Sequence, residues 1–165
     1  MNGTNELVGR NRVYAAGRCR PGPVAAAPTM GVVIVTCMDA RIESGRIFGL
    51  QEGEVHVIRK ASGTVTEDVL RSLAISQVVL GTREIVVMKH TDCGLEGVGE
   101  EELRGTIASA TGADPESAMS TFRDAEAAVR EARQALLGSQ LFPYKESIRG
   151  FIYDVSDGTA REVSS

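Results

Sequence analysis

Two short clusters carry the residue types that could do chemistry: Thr36-Cys37-Met38-Asp39-Ala40-Arg41 and His90-Thr91-Asp92-Cys93-Gly94. Two thiolates and an imidazole are soft-to-borderline ligands that suit Zn²⁺. Three protein ligands from Cys37, His90 and Cys93 would leave a fourth position open for water or substrate. A closed structural zinc site would want a fourth ligand, and the remaining cysteine, Cys19, stands far back in the N-terminal arm. Cys37, Asp39 and Arg41 are spaced by two, so in an extended segment all three project toward one site. An aspartate beside an arginine makes a bidentate charge-assisted pair. That pair would hold the Asp39 carboxylate off the metal yet within reach of a bound water. Freed from Arg41, the same carboxylate would become a fourth ligand and close the site.

These clusters must be brought together by the elements that precede them. Gly31-Val-Val-Ile-Val-Thr36 is a continuous β-branched run, the mark of a strand buried on both faces, and it delivers Cys37 at its end. Glu84-Ile-Val-Val-Met88 is a strand that delivers His90, and Val55-His-Val-Ile58 lies between them in sequence. A helix from Thr66 to Gly81 separates the second and third strands, with Thr66 as cap, Glu67 and Asp68 in the first turn, and Gly81 as the stop. Strand, helix, strand implies a βαβ unit and a parallel sheet. Ligands in such sheets bind beyond the carboxyl ends of the strands. Helices are expected over Glu6 to Ala16, Glu100 to Ala110 and Thr121 to Leu137. Pro21 to Thr29 reads as an extended arm, and Gly150-Phe-Ile-Tyr-Asp-Val155 with the Asp157-Gly158 turn reads as a C-terminal hairpin running to Val163. The class is α/β: a parallel central sheet flanked by helices, in one domain over residues 1–165, with 1–29 as helix and arm.

Composition narrows the function classes. The 165 residues have a formal net charge of −4, which offers no basic field for nucleic acid. Arg10, Arg12, Arg18 and Arg20 read as a solvated face. No stretch is long and apolar enough for a membrane span, and the N-terminus lacks a signal-peptide pattern. The expectation is a soluble cytoplasmic protein, whose three cysteines a reducing compartment keeps as thiols. His56, alternating with Val55 and Val57, reads as a strand residue at the surface or against another chain.

Cys-x-Asp-x-Arg after a buried strand, joined to His-x-x-Cys-Gly after a later one, resembles the β-class carbonic anhydrases. Gly53-Glu-Val-His-Val-Ile-Arg59, the Thr66–Gly81 helix, Gly81-Thr-Arg-Glu-Ile-Val-Val and Gly150-Phe-Ile-Tyr-Asp-Val155 are similar to short members of that family. The resemblance implies a four-stranded parallel core with an added edge strand. It also implies a homodimer or dimer of dimers in which the N-terminal helix wraps the partner. It implies hydration of CO₂ to bicarbonate by zinc-bound hydroxide, with Asp39 accepting the water's hydrogen bond, Arg41 positioning Asp39, and Lys60, Ala61 and Gly94 bordering the substrate pocket. The same site chemistry serves relatives that hydrolyse carbonyl sulfide or carbon disulfide, and a zinc-binding paralogue with little activity would look alike. The sequence departs from the family pattern at Arg59-Lys60-Ala61-Ser62-Gly63, where Arg-Asn-Ala-Gly-Gly is frequent. It departs again at Lys89, where histidine is frequent, and over Leu95 to Val98. Ser62 falls where a glycine's φ freedom is used.

Overall fold

In the computed structural model, residues 3–17, 25–115 and 118–164 are described. Cys19, Arg18, Arg20 and the first part of the arm lie outside them. Five strands form one sheet in the order β2-β1-β3-β4-β5, comprising β1 (Val32–Cys37), β2 (Val55–Lys60), β3 (Glu84–His90), β4 (Ile148–Tyr153) and β5 (Ala160–Glu162). The first four are mutually parallel and β5 runs antiparallel to β4, so the expected parallel core and terminal hairpin are both present.

The apolar run of β1 explains its central place. Five of its six residues are buried, and it hydrogen-bonds to β2 on one side and β3 on the other. Val33, Val35, Ile85 and Val87 form a row that packs with Val69 and Leu73 of α3 (Glu67–Val78) and with Ala132 and Leu136 of α5 (Ala125–Gly138). Each fully buried aliphatic side chain in that row contributes about 2 kcal/mol. Helix α5 can lie this close because Gly150 is bare on that side: a Cβ there would fall 2.2 Å from Val129 Cγ1.

Three local expectations are corrected. Helix α5 starts at Ala125 rather than near Thr121, because the Asp124 carboxylate accepts from the Ala127 amide and caps it. Phe122 instead bridges to Glu96, beside the metal-side loop. Helix α3 ends at Val78, and Gly81 (φ 79°) makes the turn that follows. Thr66 occupies the N-cap position of α3 without a side-chain capping bond; its hydroxyl takes a hydrogen bond from Lys60 Nζ at 3.3 Å.

The remaining helices are α1 (Gly3–Gly17), α2 (Ser44–Ile47) and α4 (Glu100–Thr111). No residue of α1 is buried, and Leu7, Val8, Val13 and Tyr14 stand exposed on it. His56 is half-buried. Its Nε2–H donates to the Ala26 carbonyl at 3.0 Å and its Nδ1 accepts from Ser76 Oγ at 2.9 Å, so it ties the arm to α3. No helix among the described residues is long and apolar enough to cross a membrane.

Candidate metal centre

β1 and β3 are neighbours, so their carboxyl ends deliver Cys37 and His90 side by side, and the turn after β3 returns Cys93. One ligand atom from each of Cys37, His90 and Cys93 lies within 4.8 Å of the others, and all three residues are buried. His90 Nδ1–H donates to the Thr91 carbonyl at 2.9 Å. That bond fixes the tautomer and leaves Nε2 as a bare lone pair. His90 Nε2 is buried and has no hydrogen-bond partner among the described residues. An orphaned acceptor facing two buried thiols is costly unless something accepts its lone pair. The donor set fits a soft-to-borderline divalent metal ion held by these three residues.

The thiols carry their own cost of charge. Burial pushes the Cys93 thiol up, against a hydrogen bond from the Leu95 amide, and the neighbouring Cys37 adds to the rise. A cation bound between the two sulfurs would reverse that balance, because metal ligation deprotonates thiols.

Asp39 stands beside this cluster, with Oδ2 3.9 Å from His90 Nε2. It does not reach there by strand alternation. β1 ends at Cys37, and the Arg41 amide donates back to Asp39 Oδ1 at 2.9 Å, closing a side-chain turn, while the Ile42 amide donates to the Asp39 carbonyl at 3.0 Å. The same turn brings the Arg41 guanidinium across the carboxylate, with Nε 3.0 Å from Oδ1 and Nη2 2.8 Å from Oδ2. This side-on pair holds the Asp39 carboxyl well below the usual carboxylate range, and it raises Arg41 further above an already high value.

Two residues that the motif reading did not single out complete the arrangement. Arg41 Nη1 and Nη2 also donate to Asp92 Oδ2 at 2.6 Å and to the Asp92 carbonyl at 2.7 Å, across 51 positions of sequence. Asp92 takes φ 54°, which aspartate tolerates better than most residues. Arg59 donates from Nε to the Cys37 carbonyl at 3.1 Å and from Nη2 to the Asp39 carbonyl at 2.6 Å. The sequence did hold a signal for both. Arg59 is the last residue but one of β2, in register with Thr36, and Asp92 lies inside the His-x-x-Cys cluster.

The residues expected at the pocket lie as follows. Lys60 pairs in register with Cys37, but its ammonium is turned to the hydroxyls of Thr66 and Ser120, at 3.3 and 3.2 Å. Ala61 begins a 3₁₀ turn (Ala61–Gly63), and Gly94 is exposed just after Cys93. In that turn Ser62 takes φ 55°, the conformation in which a glycine costs least. Gly63 takes φ 64°, and a Cβ on it would meet the Thr36 carbonyl carbon at 2.8 Å and the Cys37 amide nitrogen at 3.0 Å. The backbone of the first ligand thus rests directly on this turn.

Comparison with known proteins agrees with this geometry. The sequence profile of the carbonic anhydrase family matches residues 32–136. "Beta-carbonic anhydrase 1" of Mycobacterium tuberculosis is 41% identical over 167 aligned residues, covering 99% of each chain. The crystal structure of a carbonic anhydrase from Streptococcus mutans superposes with a TM-score of 0.93 at 38% identity, covering 99% of each chain. A carbon disulfide hydrolase of Acidianus is 44% identical, but over 69 residues that make up 41% of this chain and 34% of that one.

Proposed function

This chain belongs to the β-carbonic anhydrase family, and we propose that it carries out that family's reversible hydration of CO₂ to bicarbonate at a zinc ion held by Cys37, His90 and Cys93. The observation that carries the reading is the buried, partnerless Nε2 of His90 beside two buried thiols, with a carboxylate 3.9 Å away that does not complete the set. A zinc ion in such a site supplies Lewis acidity that makes water nucleophilic near neutral pH.

The chain's own residues do the rest. Asp39, ionised because Arg41 spans both its oxygens, accepts a proton-bearing hydrogen bond from the reacting water and orients it. Arg41 keeps Asp39 from becoming a ligand, and Arg59 holds the Cys37 to Asp39 backbone in place. Lys60, Ala61 and Gly94 border the substrate's approach in this reading. A small uncharged linear substrate asks little more than a narrow site, so carbonyl sulfide and carbon disulfide are the competing substrates. The short Acidianus match makes them the weaker choice.

We read residues 1–165 as one domain that acts as a homodimer or dimer of dimers in the cytoplasm. The exposed apolar side chains of α1 support a second copy as their cover. Purified protein should hold about one zinc per chain by elemental analysis, and Cys93→Ser and His90→Ala should lose both zinc and CO₂ hydration in stopped-flow assays. Zinc retained by both variants, or a zinc-loaded protein active on carbonyl sulfide but not on CO₂, overturns the proposal.

A further inference from the structure

One residue beside the metal centre is held against its own backbone preference. Ser62 is fully buried and takes φ 55°, in the left-handed region that a side chain disfavours. It stands in the middle of the Ala61–Gly63 turn, which is fastened to the backbone around the first ligand. The Met38 amide donates to the Lys60 carbonyl at 2.9 Å, and Gly63 packs on Thr36 and the Cys37 amide. From β3, Lys89 Nζ donates to the Ser62 carbonyl at 2.6 Å, one residue before His90. A strained conformation of this kind persists only where the surroundings fix it.

What fixes Ser62 is a directed run of hydrogen bonds through its side chain. Its Oγ lies 2.5 Å from the Ser120 carbonyl and 2.5 Å from Thr64 Oγ1. A carbonyl only accepts, so the single Ser62 hydroxyl proton goes to Ser120, and Thr64 donates to Ser62. Thr64 Oγ1 is then free to accept the long 3.5 Å contact from Lys89 Nζ. The bonds run one way, from Lys89 through Thr64 and Ser62 to Ser120, and so reinforce one another. Ser120 takes φ 58°, so the far end of the run is held in a disfavoured conformation too. Two residues on, the Phe122 carbonyl accepts from the Gly97 amide at 2.8 Å, and the Glu96 amide donates to the Cys93 carbonyl at 3.0 Å. Residues 120–122 thus strap the turn beneath Cys37 to the loop that carries Cys93.

We propose that Ser62 is a positioning residue for the metal centre: its hydroxyl anchors the 120–122 strap and so sets the spacing of the Cys37 and Cys93 sulfurs. Its side-chain hydrogen bonds go to Thr64 and Ser120, and none goes to a metal ligand. A glycine here would relax the backbone and lose the anchor, whereas an alanine would keep the strain and lose the anchor. The consequence for zinc rests on the functional reading above. The spacing of the two sulfurs is a property of the metal-free chain as well.

The test compares Ser62→Gly, Ser62→Ala and Ser120→Ala with wild type. Zinc affinity is measured by competition with a chelator. Cobalt-loaded protein reports ligand geometry through its thiolate charge-transfer and d–d bands. Both Ser62 variants should lose about tenfold in zinc affinity, with the cobalt bands shifted and weakened. Ser120→Ala keeps the accepting carbonyl and should stay within about twofold. Melting temperature separates positioning from bulk stability: Ser62→Gly, relieved of the φ cost, should melt above Ser62→Ala while losing the same affinity. If Ser62→Ala does not fold, Ser62→Gly against Ser120→Ala carries the comparison. Unchanged cobalt bands in Ser62→Gly, affinities that simply follow melting temperature, or an equal loss in Ser120→Ala overturns the proposal. A trivalent arsenical that bridges two close thiols reads the spacing without metal, in a Cys19→Ser background that leaves only this pair. Its binding should weaken in Ser62→Gly, and bridging that is unaffected overturns the proposal. If wild type binds neither zinc nor cobalt, weakened bridging sustains the spacing role and removes the metal reading alone.

Discussion

The two sides of the metal centre solve the problem of charge differently. On the Asp39 side, Arg41 spans the Asp39 carboxylate and reaches Asp92, so these three charges answer one another, while Arg59 takes two backbone carbonyls of the ligand segment. On the Lys89 side, two ammonium groups make do with carbonyl and hydroxyl oxygens. The first side is half open to solvent, where pairing costs little and gives direction. On the second, Lys89 is buried, where a cation without a close ion pair carries a standing desolvation cost. Charge locked in a bidentate pair fixes the position of Asp39, whereas a buried ammonium held by carbonyl and hydroxyl oxygens is shifted toward its neutral form.

The largest effect should come from breaking the paired side. Arg41→Ala removes every side-chain donor to Asp39, and the released carboxylate, 3.9 Å from His90 Nε2, moves in to complete the metal's ligand set. CO₂ hydration should fall by about 10- to 100-fold, the cost typical of losing a residue that orients a metal ligand's neighbour. The acid limb of stability should move as well. Asp39 is depressed when folded, so its contribution is present above the ordinary carboxylate value of 3.8 and is lost as pH falls toward the depressed one. Without Arg41 that contribution shrinks, and acid unfolding should begin at higher pH. An Arg41→Ala enzyme with a normal rate and a normal acid-unfolding midpoint would show that the pair is ornamental.

The contrast between the two sides also tracks what the sequence made legible. The ligand triad could be read because each member sits at a strand end that β-branched runs define, and parallel pairing of β1 with β3 then leaves little choice of place. Asp39 and Arg41 were legible as a pair but not in their conformation: alternation in an extended strand was the expectation, and a side-chain turn after the strand end is what joins them. Asp92 was illegible as Arg41's second partner because nothing local in sequence links positions 51 apart. Lys60 was expected at the border of the substrate pocket. Its actual partners, the misread cap Thr66 and Ser120, depend on how the loop before α5 folds back over the turn at Ser62. Local pattern predicts elements and their ends. It does not predict which loop closes over which turn.

A middle-sized effect is expected on the unpaired side. Burial brings Lys89 down from 10.5 to about 8 in the metal-free chain, partly offset by Cys93, Cys37 and the Glu131 carboxylate. Between those values the folded protein holds fewer protons than the unfolded one, so the cost of this buried charge is fully present below about pH 8 and is relieved as pH rises toward 10.5. A shift of that size corresponds to on the order of 3 kcal/mol. Lys89→Met should remove this rise, so denaturation of metal-free wild type and variant should differ in slope between pH 8 and 10.5. If the two curves stay parallel, the ammonium is a structural bolt to the Ser62 carbonyl, and the contrast drawn between the two sides weakens.

The smallest effect should come from Asp92→Asn, and it is the sharpest check on what the paired side needs. Asp92 is 79% exposed at the side chain and Arg41 46%, so their ion pair is heavily screened. Pairs of that kind contribute under about 1 kcal/mol. Asparagine keeps an oxygen able to accept from Arg41 Nη1, tolerates the φ of 54°, and leaves in place the backbone carbonyl that accepts from Nη2. Arg41 therefore keeps its side-on hold on Asp39, and the Asp39 carboxyl stays depressed by the same donors. Urea unfolding of Asp92→Asn should stay within about 1 kcal/mol of wild type, with zinc content and CO₂ hydration changed by less than about twofold. A loss as large as that of Arg41→Ala would mean that Asp39 alone cannot hold the guanidinium in line. The paired side would then be a three-residue clamp whose far carboxylate, though exposed, decides whether the metal site stays open.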